Sequence, residues 1–139
     1  MESSARGAKQ RKQTVEVIAD ELRPDETVLA VLAFASTPKR PKGPEGKVRV
    51  GIYISYRRYR PLVVTNRRLF VLEASRTPYP RRVLAEFPLA DVHVVDVVQG
   101  PFSQSRLLLD LPDIGTVPFD LGRYDVEELP ELRAALEGP

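Results

Sequence analysis

The chain has 139 residues, enough for one domain with its own hydrophobic core, and it contains no cysteine. Neither a disulfide framework nor a thiolate metal site is therefore possible. Residues 36–82 contain thirteen lysines and arginines but only two acidic residues. Residues 83–139 contain three arginines and eleven acidic residues. The resulting net charges of +11 and −8 favour contact with anions, or between the two parts, within one molecule or between copies.

The N-terminal segment is polar before it becomes amphipathic. Residues 1–9 are small and polar, which is typical of a disordered tail. Residues 10–23 are predicted to form a helix that ends before Pro24, because a residue that precedes proline is pushed out of the helical region. One face of this helix carries Val15, Ile18 and Leu22. We expect that face to pack on the chain's own sheet, with a helix interface to a partner as the alternative.

A basic loop separates the first two predicted strands. Residues 27–35 form an apolar strand, and residues 36–46 hold three prolines and two glycines, which no β-ladder can accommodate. We therefore predict a mobile, basic, proline-rich loop at 36–46. Alternation of apolar and polar residues then predicts a half-buried strand over residues 47–57. Pro61 interrupts the ladder and marks a bulge or loop.

Two hairpins follow. Residues 62–72 consist of two apolar runs around Asn66–Arg67, and asparagine tolerates the backbone conformation of a tight turn. Strands are predicted from about Val83 to Phe87 and over residues 92–98. A second hairpin joins residues 106–111 and 116–121. A short C-terminal helix follows, with Leu129, Leu132, Ala135 and Leu136 on its apolar face.

Three short motifs resemble those of bacterial pleckstrin-homology-like (PH-like) and GRAM-like domains. Residues 62–72 resemble the T-x-x-R-L hairpin, with Thr65, Arg68 and Leu69 at the matching positions. Residues 22–26 resemble the opening L-x-P-x-E, and residues 87–92 resemble the i-P-l-x-x-I segment, with Val92 in place of isoleucine. The resemblance covers residues 22 to 137 and departs from the pattern in the basic insertion and the added N-terminal segment.

The resemblance implies a mainly β fold. We expect a PH-like, partly open barrel of two antiparallel sheets over residues 24–139, with a C-terminal capping helix and an added N-terminal helix. PH-like domains bind lipids, peptides, proteins or one another, so the resemblance leaves the function open.

The residue pattern gives no support for catalysis. His93 lies on a valine-rich strand without nearby catalytic partners, and it is interpreted as a structural or surface histidine. Asp110, Asp113 and Asp120 surround one hairpin, but their spacing matches no EF-hand loop. No phosphate-binding glycine loop and no nucleophile-elbow serine occur. We expect no enzymatic activity, cofactor, metal or small-molecule substrate.

The basic series is the candidate binding site. By resemblance, phosphoinositide-binding PH domains hold the lipid headgroup with basic residues in the corresponding loop and strand. The candidate anion- or partner-binding residues are Lys39, Arg40, Lys42, Lys47, Arg49, Arg57, Arg58 and Arg60. Arg68 is interpreted as a structural residue of the hairpin. A solvated basic rim without a binding role is the competing interpretation of the series.

The function expected from these patterns is that of a non-catalytic adaptor for protein–protein interaction or assembly. Peripheral binding to anionic lipid headgroups through residues 39–60 is the alternative, and nucleic-acid binding is third, since no recognised nucleic-acid motif is present. The N-terminus lacks the apolar core of a secretory signal, and no apolar run is long enough to span a bilayer. We expect a cytoplasmic protein, peripheral to the membrane if lipid is the ligand.

Overall fold

The computed structural model describes residues 2–37, 58–75, 79–99 and 105–137. Within these ranges the chain forms two antiparallel sheets and two helices. The helices are α1 (Glu2–Ile18) and α2 (Leu129–Glu137). The strands are β1 (Val28–Leu32), β2 (Leu62–Thr65), β3 (Arg68–Ala74), β4 (Pro80–Pro88), β5 (His93–Gln99), β6 (Ser105–Leu111) and β7 (Gly115–Leu121).

The first sheet has the strand order β1-β2-β3-β4. Its central hairpin pairs Leu62 with Val71 and Val64 with Leu69 across the Asn66–Arg67 turn. All four apolar side chains are buried in one core. The prediction of an antiparallel hairpin around this turn is therefore confirmed.

The second sheet has the strand order β5-β6-β7. β6 and β7 pair in continuous register from Ser105 opposite Leu121 to Leu111 opposite Gly115. The turn between them contains Asp113 with φ 65° and Gly115 with φ 97°, a conformation that asparagine, aspartate and glycine tolerate best. The second predicted hairpin is also confirmed.

Two apolar clusters stabilise the fold. The larger lies between the sheets, where the inward faces of β2, β3, β6 and β7 meet Leu129 and Leu132 of α2. The smaller lies on the other face of the first sheet, where Ile18 of α1 is buried with Val63 and Phe70. The mainly β architecture and the C-terminal position of α2 agree with the sequence analysis.

The N-terminal segment differs from the prediction of a disordered tail at residues 1–9. The helix begins at Glu2 and ends at Ile18, and a 3₁₀ turn at Ala19–Glu21 follows it. Residues 5–11 are mostly alanine, lysine, arginine and glutamine, which favour helix without needing an apolar stripe. Apolar periodicity therefore does not predict the first two turns of this helix. Neither described helix is long and apolar enough to cross a membrane.

The predicted mobile loop at 36–46 and the strand at 47–57 lie almost entirely outside the described residues. Ser36 and Thr37 are described, and Ser36 forms isolated antiparallel bridges with Tyr59 and with Asp120. The Arg60 N–H donates to the Ala35 carbonyl at 2.8 Å. Residues 35–37 and 58–60 therefore run side by side and extend the pairing of β1 with β2.

Candidate functional site

Two of the three motifs meet in a buried ion pair. Glu26 of the L-x-P-x-E segment has no exposed side-chain surface. Its Oε2 accepts hydrogen bonds from the Thr65 hydroxyl at 2.6 Å and from Arg68 Nε at 2.9 Å, and its Oε1 accepts one from Arg68 Nη2 at 2.9 Å. The hydrogen bond from Arg68 lowers the pKa of Glu26 to about 2, against the opposing effect of burial. The paired Glu26 raises the pKa of Arg68 in turn.

Further contacts of Arg68 join the hairpin to its surroundings. Arg68 Nη1 donates to Glu86 Oε1 at 3.1 Å, and Nη2 donates to the Glu21 carbonyl at 2.6 Å. The guanidinium lies 4.5 Å from the centre of the Phe70 ring, within the range of a cation–π contact. Arg68 is thus fully engaged by the fold, as expected of a structural residue. Sequence reasoning did not single out Glu26, although its place in the L-x-P-x-E motif was a usable signal.

Most of the candidate basic site lies outside the described residues. Lys39, Arg40, Lys42, Lys47, Arg49 and Arg57 belong to this group. Arg58 is described and exposed.

Arg60 is described as well, but it is buried, which differs from the expectation of a surface anion ligand. Its backbone pairs with Ala35, and its Nη1 donates to the Tyr59 carbonyl at 2.9 Å. Burial lowers the pKa of the guanidinium.

The apolar face of α1 packs within its own chain. Ile18 is completely buried, and Val15 is partly buried against the same outer cluster of the first sheet. Leu22 is also partly buried there, but it lies after α1 and the 3₁₀ turn, in extended backbone, and not on the helix as predicted. In the structure this face packs on the sheet of its own chain, which is the first of the two interpretations given above. A partner interface formed by these three side chains would require α1 to leave the sheet.

The outer edge of β1 is covered by carboxylates from the segment before α2. The N–H of Val31 donates to Glu128 Oε1 at 3.0 Å, and the N–H of Phe34 donates to Asp125 Oδ1 at 3.0 Å. Asp125 Oδ2 also accepts the N–H of Gly122 at 2.9 Å. A Cβ on Gly122 would lie 2.8 Å from Phe34 Cβ, so glycine permits this close approach. Burial raises the pKa of Asp125 to about 6, although the two amide bonds oppose that shift.

The two sheets are joined next to this point. Ser36 and Asp120 exchange backbone hydrogen bonds, with N···O distances of 2.9 and 2.7 Å. β1 and β7 thereby have partners on their outer sides, and we call them the closed edges. A strand edge with paired amides is a poor template for another strand.

β4 and β5 are the open edges. Each is the outermost strand of its sheet, and among the described residues each pairs on one side only, β4 with β3 and β5 with β6. Three of the four large apolar side chains that are exposed among the described residues belong to these edges. Tyr79, next to β4, is 62% exposed, and Val95 and Val98 of β5 are 55% and 45% exposed. Exposed apolar side chains along an unpaired strand edge are typical of a protein-docking surface.

A groove of about 820 Å³ runs beside β4, towards the turn between β6 and β7. Apolar side chains make up most of its lining, and its charged residues are acidic. The lining comprises residues 83–88, Asp91 and residues 112–114. Glu86, Asp91 and Asp113 are its charged members, and all three are exposed.

His93 is exposed on β5. Among the residues that the structure describes, no group of three or more Asp, Glu or His side chains is placed to hold a metal ion.

No protein-family model matches the chain, and no curated protein matches it by sequence. Function has therefore to be inferred from the residues described above.

Proposed function

We propose that the chain is a PH-like module that recruits or assembles proteins and catalyses no reaction. The fold part of the proposal is supported by the order of the elements, which is a four-stranded sheet, a three-stranded sheet and then a helix. In this proposal α2 is the capping helix of a partly open barrel. The buried network of Glu26, Thr65 and Arg68 gives a physical reason for the residue types of two motifs on which the resemblance rests.

One observation carries the functional part, namely the contrast between the closed and the open edges. The chain uses the carboxylates of Asp125 and Glu128 and a backbone bridge to cover β1 and β7. β4 and β5 have no such cover among the described residues, and they display Tyr79, Val95 and Val98. An open edge provides backbone hydrogen bonds to an added strand, and its exposed side chains provide specificity.

Lipid binding has less support from the described residues. A lipid site would need several exposed basic side chains close together. Of the eight candidates, the described ones are Arg58 and Arg60, and Arg60 is buried. Anionic lipid is therefore the alternative that the experiment below must separate from a protein partner.

Site-specific photo-crosslinking in the native host tests the proposal. A photoreactive phenylalanine analogue is introduced at Val95 or at Val98, and the matched control carries it at Glu16, which is exposed on α1. We expect discrete protein adducts from the two β5 positions and none from Glu16. In parallel, the purified protein should remain in the supernatant with anionic phosphatidylserine vesicles.

The opposite pattern would favour lipid. That pattern is the absence of adducts at Val95 and Val98, together with sedimentation on anionic vesicles that high salt abolishes. Salt has this effect because the Debye length falls from about 10 Å at 0.1 M to about 3 Å at 1 M.

A further inference from the structure

Charge is distributed unevenly along β4. The strand begins with Pro80, which follows Tyr79, and the next two residues are the exposed Arg81 and Arg82. Its other end carries Glu86, and Asp91 follows three residues after the strand. Glu86 keeps 49% of its side chain exposed although it pairs with Arg68. The boundary between the basic residues 36–82 and the acidic residues 83–139 therefore lies within β4, one of the open edges.

The groove beside β4 continues this arrangement. Most of its lining is apolar, and at the acidic end of β4 it is lined by Pro88, Asp91, Pro112 and Asp113. The lining residues that the structure describes include no arginine or lysine. An occupant that fits would offer an aromatic or aliphatic side chain next to basic ones.

The residues around the start of β4 combine an aromatic side chain with basic ones. Tyr79 is the most exposed large apolar residue in the described part of the chain. Its backbone is held in place, because its N–H donates to Ser75 Oγ at 3.0 Å and its carbonyl accepts the Ser75 N–H at 2.9 Å. The ring therefore projects from a fixed position, next to Arg81 and Arg82.

We propose that β4 pairs antiparallel with β4 of a second copy of this chain, and that Tyr79 of each copy enters the groove of the other. This inference rests on the proposed function and names the partner of its β4 edge. A two-fold axis between antiparallel strands brings the start of each strand to the end of the other. Arg81, together with Arg82, which also pairs with Glu73 of its own chain at 2.7 Å, then faces Glu86 and Asp91 of the other copy. The two-fold axis makes this charge match occur twice.

The shape of β4 makes this a short contact. Its register with β3 shifts between Ala85 and Val83 and again between Arg82 and Pro80. Bulges of this kind, and the prolines at both ends, shorten the ladder that an added strand can form. Few backbone hydrogen bonds can therefore form between the two β4 strands, and side-chain contacts must supply the remaining binding free energy. We expect a reversible dimer whose population depends on concentration and decreases with salt.

Sedimentation equilibrium of the purified 139-residue chain tests the inference. We expect a monomer–dimer equilibrium in the unaltered protein. The acidic variant R81E/R82E should raise the dimer dissociation constant by tenfold or more, because like charges then face each other across the axis. Y79A should have an effect of similar size, since buried aromatic residues are frequent binding hot spots.

A mixture of two charge-reversed variants gives the most specific test of the proposed contact. The basic variant E86K/D91K should also fail to form a homodimer, but an equimolar mixture with R81E/R82E should give a heterodimer. Each variant is first checked by thermal unfolding, and D91K replaces E86K/D91K if the loss of the Arg68–Glu86 pair prevents folding. The matched control R106E/R133E makes the same change in net charge on β6 and α2, and it should leave dimerisation unchanged.

Two outcomes would overturn the inference. The first is a chain that remains monomeric at every concentration. The second is a dimer that R81E/R82E and Y79A leave intact, which would place the contact elsewhere. In either case, protein adducts at Val95 or Val98 would keep the proposed function, so failure of this inference and failure of that proposal are distinguishable.

Discussion

Replacement of Arg68 by methionine should destabilise the protein strongly, because it leaves the Glu26 carboxylate buried without its cation. Glu26 would retain two donors, the Thr65 hydroxyl and the Arg23 N–H at 3.1 Å. It would lose two charge-assisted hydrogen bonds, both 2.9 Å long. Removing one partner of a buried ion pair costs about 3–5 kcal/mol, a large part of the roughly 5–15 kcal/mol that stabilises a typical domain.

The companion change Glu26→Gln should cost less, about 1–3 kcal/mol. Arg68 would still donate to Glu86 and to the Glu21 carbonyl, and 12% of its side chain is exposed. In the double variant R68M/E26Q no charge is left unpaired in the interior. Its loss should therefore be smaller than the sum of the two single losses by 1 kcal/mol or more, within the usual range of about 0.5–3 kcal/mol for contacting residues.

Urea unfolding followed by far-ultraviolet circular dichroism measures all four free energies. Arg67→Met is the matched control, because Arg67 is the neighbouring arginine and pairs with Asp25 at the surface. Its loss should stay below about 1 kcal/mol. A loss below 1 kcal/mol for Arg68→Met, or strict additivity in the double variant, would refute the assignment of this ion pair as a main stabilising contact.

Two further stability predictions follow from burial. Leu69→Ala should cost about 2–5 kcal/mol in urea unfolding, because Leu69 is fully buried, whereas Leu29→Ala at an exposed site of β1 should cost under about 1 kcal/mol. Equal losses at the two positions would contradict this. The free energy of unfolding should rise by about 1 kcal/mol from pH 7 to pH 5, since the pKa of Asp125 is raised from 3.8 to about 6 and its ionised form is the less favourable one in the fold. Asp125→Asn should abolish that rise. Below pH 4.5 stability should fall as Glu26, whose pKa is about 2, takes up protons during unfolding.

The two hairpins could be predicted because their information is local. Each has alternating or continuous apolar residues around a recognisable turn, and a register slip of one residue would turn every side chain to the wrong face. Leu62, Val64, Leu69 and Val71 lie in one core because alternate residues of each strand share a face.

The polar contacts that hold the elements together could not be predicted in this way. Glu26 and Arg68 are 42 residues apart, and the carboxylates that cover β1 come from 91 and 97 residues away. Hydrophobic periodicity carries no information about such pairs. The motif resemblance marked both residues of the first pair without predicting that they meet. Asp125 and Glu128 lie just before α2, where the helix dipole favours acidic residues, so their position alone does not indicate a contact with β1.

Aspartate has different consequences at the closed edge of β1 and at the open edge of β4. Near β1, Asp125 is buried and accepts two amide hydrogens, which offset part of its desolvation and close that edge. Near β4, Asp91 and Asp113 remain exposed, and the facing turn contains Pro112, which has no N–H to donate. The described chain therefore offers β4 apolar and acidic side chains but little backbone pairing. Hydrogen bonds for this edge would have to come from an added strand, and a strand that carries its own arginines would match the acidic end of the groove.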